Sequence, residues 1–157
     1  MSIEALLSLG GNMGDRKKLM DEAVSRIGKL PGTSVLARSS YFRTEPVGPV
    51  EKQPWFLNIA VKIVTDLGRE TLAASCRAIE TALGRDRARE ISWGPRTMDI
   101  DVVGYGGWSK VDDRGFVLIP LAEIAPDVVV EGKTLQERAA AVSRDSVQRL
   151  GWPLPSR

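Results

Sequence analysis

The chain has 157 residues, 43% hydrophobic and 27% charged, with 22 basic and 20 acidic side chains and a formal net charge of +2. That size and balance give a globular protein with a core of its own, and exclude a disordered chain and a general nucleic-acid binder. There is no histidine and one cysteine, Cys76, which excludes imidazole chemistry, histidine-held metals and an internal disulfide, and leaves oxygen-bound hard cations such as magnesium, manganese or calcium.

No apolar run approaches the roughly 18–20 residues needed to cross a bilayer. The start, Met1-Ser2-Ile3-Glu4, lacks a basic segment followed by a long apolar one, so no signal peptide is expected. The reading is one domain over residues 1–157, cytoplasmic and away from membranes.

Leu6 to Leu9 reads as a short buried strand that ends at the turn Gly10-Gly11-Asn12. Asp15 can cap a helix to about Leu30, with Leu19, Ala23, Ile27 and Leu30 on one face. Pro31-Gly32 stops it, and the β-formers from Thr33 to Arg43 predict a strand. The prolines between Glu45 and Pro54 demand a loop. From Trp55 to Val64 the pattern alternates, with Leu57, Ile59, Val61 and Ile63 on one face and Phe56, Asn58 and Ala60 on the other. Leu72, Cys76, Ile79 and Leu83 form the stripe of a second helix, from Gly68 to Gly84. A polar loop, Arg85 to Gly94, leads to a strand from Thr97 to Val103. The order β-α-β-β-α-β predicts an α+β fold, a ferredoxin-like sandwich, with a C-terminal extension. In that extension Phe116 to Ile119 reads as a short strand and Leu135 to Val142 as a short helix, while Ser143 to Arg157 carries no pattern.

The sharpest chemical feature is Asp99-Ile100-Asp101. On a strand, side chains two apart share a side and lie roughly 6–7 Å from each other, so two carboxylates can grip one hard cation or bridge a pair. A bare Asp-x-Asp is equally a solvated strand face. Arg96 falls on the Met98 and Ile100 side of a regular strand, so it reaches the carboxylates only if the strand starts irregularly after Pro95. Arg85, Arg87, Arg89 and Arg96 crowd twelve positions of a nearly neutral chain, a pattern suited to a small polyanion. Their loop reads as a lid that closes on phosphates or as a surface loop neutralised by Asp86 and Glu90. Phe56 and Asn58 offer a ring to stack on and an amide to read a heterocycle's edge, or else a packed Phe and an Asn that ties down the proline loop. Cys76, on an apolar stripe, reads as an inert core residue. A Walker A sequence is absent.

Five runs together carry a resemblance. They are Leu9-Gly10-Gly11-Asn12; Tyr41-Phe42-Arg43-Thr44 with Pro46-Val47-Gly48-Pro49; Phe56-Leu57-Asn58; Ile79-Glu80 with Gly84-Arg85; and Trp93-Gly94-Pro95-Arg96-Thr97-Met98-Asp99-Ile100-Asp101. With Arg114-Gly115-Phe116 and Pro120-Leu121 they resemble the 6-hydroxymethyl-7,8-dihydropterin pyrophosphokinases. The resemblance implies two magnesium ions on Asp99 and Asp101, ATP as co-substrate, and passage of diphosphate to the pterin hydroxymethyl oxygen with loss of AMP. It implies a pterin between Phe56 and Phe116, its polar edge met by Gly10, Thr44, Asn58 and the backbone near Val47. Arg85 and Arg96 would stabilise the transferring group, Arg87 and Arg114 would hold phosphates, and Glu80, Trp93 and Val102 would complete the ATP site. It also implies small-molecule partners only and a monomer. Family members carry a longer segment, usually with a histidine, where this chain has only Gly107 to Asp113. That departure keeps open a non-catalytic or weakened pterin- or nucleotide-binding relative. A nucleotidyltransferase, which also pairs aspartates on a strand, is a third reading.

Overall fold

The computed structural model describes residues 2–46, 53–90, 94–107 and 114–150. In chain order its elements are β1 (Ile3–Gly11), α1 (Arg16–Gly28), β2 (Thr33–Arg38), β3 (Phe42–Thr44), β4 (Phe56–Thr65), α2 (Arg69–Ala82), β5 (Asp99–Tyr105), α3 (Gly115–Ile124), β6 (Val129–Val130), β7 (Lys133–Thr134), α4 (Leu135–Ala141) and β8 (Val147–Arg149). The main sheet runs β5-β1-β4-β3-β8 with β2 also on β4, and every pairing is antiparallel. Taken without the last strand this is the ferredoxin-like order expected from β-α-β-β-α-β, with β2 and β3 together filling the place of one strand.

Period-two alternation in β1 and β4 divides two cores. Leu7, Leu9, Leu57, Ile59, Val61 and Ile63 face α1 and α2, where Met20, Ala23, Ile27, Leu72, Cys76 and Ile79 meet them. Leu6, Phe42 and Ala60 face the other way, onto Val117, Leu118 and Leu121 of α3 and Leu135 of α4. Each fully buried Leu or Ile contributes about 1.5–3 kcal/mol through lost apolar surface. Cys76 lies in the first core, and burial pushes its thiol up to about 12. The Asp15 side chain accepts Lys18 N–H to open α1. Gly84, at φ +98°, ends α2 in a conformation that side chains resist.

Three expectations change. Phe116 to Ile119 is helix rather than strand. The run is apolar on every side, and Val117 to Leu121 are buried without a break between sheet and α4. For such a run periodicity cannot separate a strand from a buried helix. Thr33 to Arg43 is two strands because the Ser39 hydroxyl, not a backbone carbonyl, takes Ala60 N–H. The patternless tail supplies an edge strand, with Val147 to Arg149 pairing Thr44 to Phe42. Among the described residues no helix is long and apolar enough to cross a membrane.

Candidate active site

Strand register assembles a cleft on the α3 side of the sheet. Asp99, Gly10, Asn58 and Phe42 face one another across β5, β1, β4 and β3, and in the next row Asp101 faces Ser8 and Ala60. Partners across an antiparallel ladder point to the same face. Phe56 and Thr44, themselves partners, Arg96 from the turn before β5, and Arg114 and Phe116 from the start of α3 complete the lining. Ser8 and Glu45 also line it and were missed from sequence. The signal for Ser8 was a lone hydroxyl between Leu7 and Leu9; Glu45 resembled any charged loop residue.

Gly10 is required by close approach. A Cβ there would come within 2.4 Å of Asn58 Nδ2. The missing side chain lets the Asn58 amide lie across β1, where it reaches the Leu9 carbonyl at 3.5 Å and its Oδ1 accepts the Thr44 hydroxyl. Asn58 therefore does not tie down the proline loop; Asn12 does, through Gln53 Oε1 and the Pro54 carbonyl, both at 2.9 Å. Phe116 carries the Arg114 guanidinium at 4.9 Å over its ring, a cation–π contact that holds charge at the rim.

Asp99 and Asp101 both line the cleft. Asp101 reaches solvent at its open side, yet its carboxyl is pushed up to about 6, first by the withdrawal of water from the surrounding walls and second by the charge of Asp99, with Arg114 opposing. Two carboxylates held this close want a cation. Among the described residues no group of three or more His, Cys, Asp or Glu is placed to hold a metal. A hard cation held by this pair alone would take its remaining ligands from outside the pair.

β5 begins at Asp99, not Thr97. The irregular stretch before it brings Arg96 into the cleft, the irregular start its reach to the carboxylates called for. Its guanidinium rests on the Gly94 carbonyl at 3.2 Å and lies 4.0 Å from Asp99 Oδ2, too far for a tight ion pair. Behind β5 lies a second set of charges. Arg85, 4% exposed, binds Glu90 at 2.6 and 2.9 Å, Asp99 at 3.0 Å and Glu80 at 3.1 Å. Burial works against its charge, but the bonds to Glu90 and Asp99 and the field of Glu80 outweigh it and hold its pKa above the usual guanidinium value. The Arg85 bond likewise lowers the Glu90 carboxyl.

This set occupies Glu80 within the protein. Its carboxylate, 2% exposed, accepts from Arg85, from Arg87 at 2.8 Å and from the Ile100 N–H at 2.7 Å, and it is not part of the cleft lining. Arg87 lies at the surface on Glu80, outside the cleft lining. Val102 packs its side chain against the α1/α2 core. Arg85 lines a separate hollow with Arg89 and Thr97. Val47 and Trp93, residues 91–93 of the expected lid and residues 108–113 of the short segment lie outside the described residues.

Against known proteins, residues 6–126 match the 7,8-dihydro-6-hydroxymethylpterin-pyrophosphokinase (HPPK) family. The 2-amino-4-hydroxy-6-hydroxymethyldihydropteridine pyrophosphokinase of Methylorubrum extorquens is 43% identical over 93% of this chain and 98% of its own length. The enzyme of the same name from Pseudomonas aeruginosa is 32% identical over 92% of this chain and 94% of its own, and that from Bacillus subtilis 36% identical over 84% of each. Among solved structures, wild-type Plasmodium falciparum HPPK-DHPS with pterin and p-hydroxybenzoate shares the fold, with a TM-score of 0.71 over 96% of this chain at 13% identity. The chain spans 45% of that longer protein. The curated relatives bear the name of an enzyme, and no feature of the described residues favours the non-catalytic alternative.

Proposed function

Because the chain belongs to the 7,8-dihydro-6-hydroxymethylpterin-pyrophosphokinase family, we propose that the cleft over Ser8, Gly10 and Asn58 is its active site. The protein is an ATP-dependent diphosphotransferase of folate biosynthesis, moving diphosphate from ATP to the hydroxymethyl group of the dihydropterin. In our reading the pterin ring lies between Phe56 and Phe116, and its polar edge exchanges for the Thr44–Asn58 hydrogen bond. Asp99 and Asp101 would hold magnesium, which would supply positive charge to offset that of the phosphate oxygens.

Arg96 and Arg114, both lining the cleft, bind the polyphosphate; Arg85, bonded to Asp99, offsets its charge. The hydroxymethyl oxygen attacks the β-phosphorus and gives up its proton to solvent, the bond from the β-phosphorus to the oxygen bridging it to the α-phosphate breaks, and AMP leaves carrying that bridging oxygen. Positioning and electrostatics are sufficient for such a transfer, so no covalent intermediate on the protein is required. The chain works as one unit, a monomer in the cytoplasm, on small molecules alone.

The observation that carries this reading is the register that lines up Asp99, Gly10 and Asn58 on one face, with Phe56 and Phe116 beside them. The test is AMP release with 6-hydroxymethyl-7,8-dihydropterin, ATP and magnesium, beside an Asp99→Ala, Asp101→Ala double variant. Turnover in the parent that vanishes in the variant supports it. AMP release indifferent to the pterin, or to the two aspartates, would sink it.

A further inference from the structure

Asn12 is 1% exposed, and its side chain is placed on neither wall of the cleft. It nonetheless joins three separated segments. Its backbone N–H donates to the Arg96 carbonyl at 3.0 Å, and its Oδ1 accepts the Arg96 N–H at 2.9 Å. The two bonds close a ring that mimics one more rung of the β1–β5 ladder, beyond the last true pair of Gly10 with Asp99. Its amide N–H2 turns the other way, to Gln53 Oε1 and the Pro54 carbonyl, just before Phe56. Every polar atom of Asn12's amide group is thus used, and each half serves a different part of the cleft. Gly11 beside it must be bare, since a Cβ would come within 2.3 Å of the Thr97 carbonyl.

We infer that Asn12 is a positioning residue for the transfer reaction: its Oδ1 fixes Arg96 for the polyphosphate, and its amide N–H2 fixes the entry to Phe56 for the pterin. The inference rests on the active-site reading above. It follows from hydrogen-bonding inventory, because only an amide offers an acceptor and two donors from one planar group of this size. Asp would keep the acceptor and lose the donors; Ala would lose both. Buried and bridging, the group holds two loop segments in one register, and small displacements of reacting groups are costly in rate.

The experiment measures two affinities by calorimetry on the full chain, for the dihydropterin alone and for α,β-methylene-ATP with magnesium. The proteins are parent, Asn12→Asp, Asn12→Ala, Gln53→Ala and Arg96→Ala, each checked for folding by its melting curve. Asn12→Asp and Gln53→Ala are expected to weaken pterin binding by about tenfold while leaving the nucleotide within about twofold. Asn12→Ala weakens both, and its nucleotide effect vanishes in an Arg96→Ala background, as coupling through Arg96 demands. Equal loss of both ligands in Asn12→Asp, or full additivity of Asn12→Ala with Arg96→Ala, would overturn the inference and leave Asn12 a plain fold-holding residue. Gln53→Ala leaves Asn12 in place, so the pterin half is tested even if the Asn12 variants unfold. These are binding measurements, so a parent that binds both ligands but releases no AMP would defeat the activity reading while still deciding whether Asn12 positions the two ligand sites.

Discussion

The two sides of β5 carry charges of the same kinds in opposite states. In front, Asp99 and Asp101 share an open cleft, where the withdrawal of water first and the charge of Asp99 second raise Asp101. Behind, Glu80, Arg85 and Glu90 form a closed set in which each charge has a partner, and Glu80 grips the Ile100 N–H between the two aspartates. β5 is an edge strand, and an edge N–H left alone would let the strand drift. The buried side therefore supplies rigidity and the open side supplies unmet electrostatic demand. A site that binds polyphosphate needs both, on adjacent residues.

The largest effect should come from the front. Asp99→Asn and Asp101→Asn should each cut turnover by about three orders of magnitude, since each removes one of the two carboxylates proposed to hold the metal and, through it, the polyphosphate. Stability separates them. Asp99 also binds Arg85, so Asp99→Asn should melt lower than the parent, while Asp101→Asn should not. If both lowered the melting point alike, the front and back of the strand would not be distinct systems.

Behind the strand, Glu80→Gln keeps shape and an acceptor for Ile100 but leaves Arg85 and Arg87 short of a carboxylate. Removing one partner of a buried ion pair typically costs about 3–5 kcal/mol. A loss of that size in urea unfolding, with turnover lowered less than by either aspartate change, is the expected result. A near-neutral Glu80→Gln would mean that water, not Glu80, balances Arg85.

The front was legible in the sequence and the back was not. Asp99-Ile100-Asp101 declares itself because a strand's period of two puts both carboxylates on one side, and Phe56 and Asn58 follow from the clean alternation of β4. Glu80 sits among helix residues that look like any solvated face, and only the return of the chain through Gly84 shows that it is buried. Asn12 ended a turn motif, and its partners stand about forty and eighty positions away, beyond any local pattern. The helix α3 was hidden by its uniform apolarity. β8 was hidden by its length, three residues with no alternation to read.

A smaller effect is expected at the pterin wall. Phe116→Ala should raise the pterin KM by about tenfold, since it removes one stacking face worth about 1 kcal/mol beyond its area. The ATP KM should rise too, but less, because Arg114 would lose the ring beneath it. An unchanged pterin KM would move the ring off Phe116 and leave the residue to the α3 core.

The smallest effect concerns pH and reads the unrelieved charge of Asp101. Asp101 has a folded pKa of about 6, above the ordinary 3.8, so the folded state holds its proton more tightly than the unfolded chain does. Its charge accordingly destabilises the fold above about pH 6, and the penalty fades as pH falls from there toward the ordinary carboxylate range. Asp101→Asn should then melt higher than the parent at pH 7.5, by a few degrees at most for a chain of this size, and show no gain near pH 4. Magnesium added to the parent should raise its melting point at pH 7.5 and not near pH 4, because the cation and the proton relieve the same poorly hydrated charge. A gain from Asp101→Asn that persisted unchanged to pH 4 would assign it to packing rather than to charge. The open side of β5 would then lose its claim to be held under electrostatic strain.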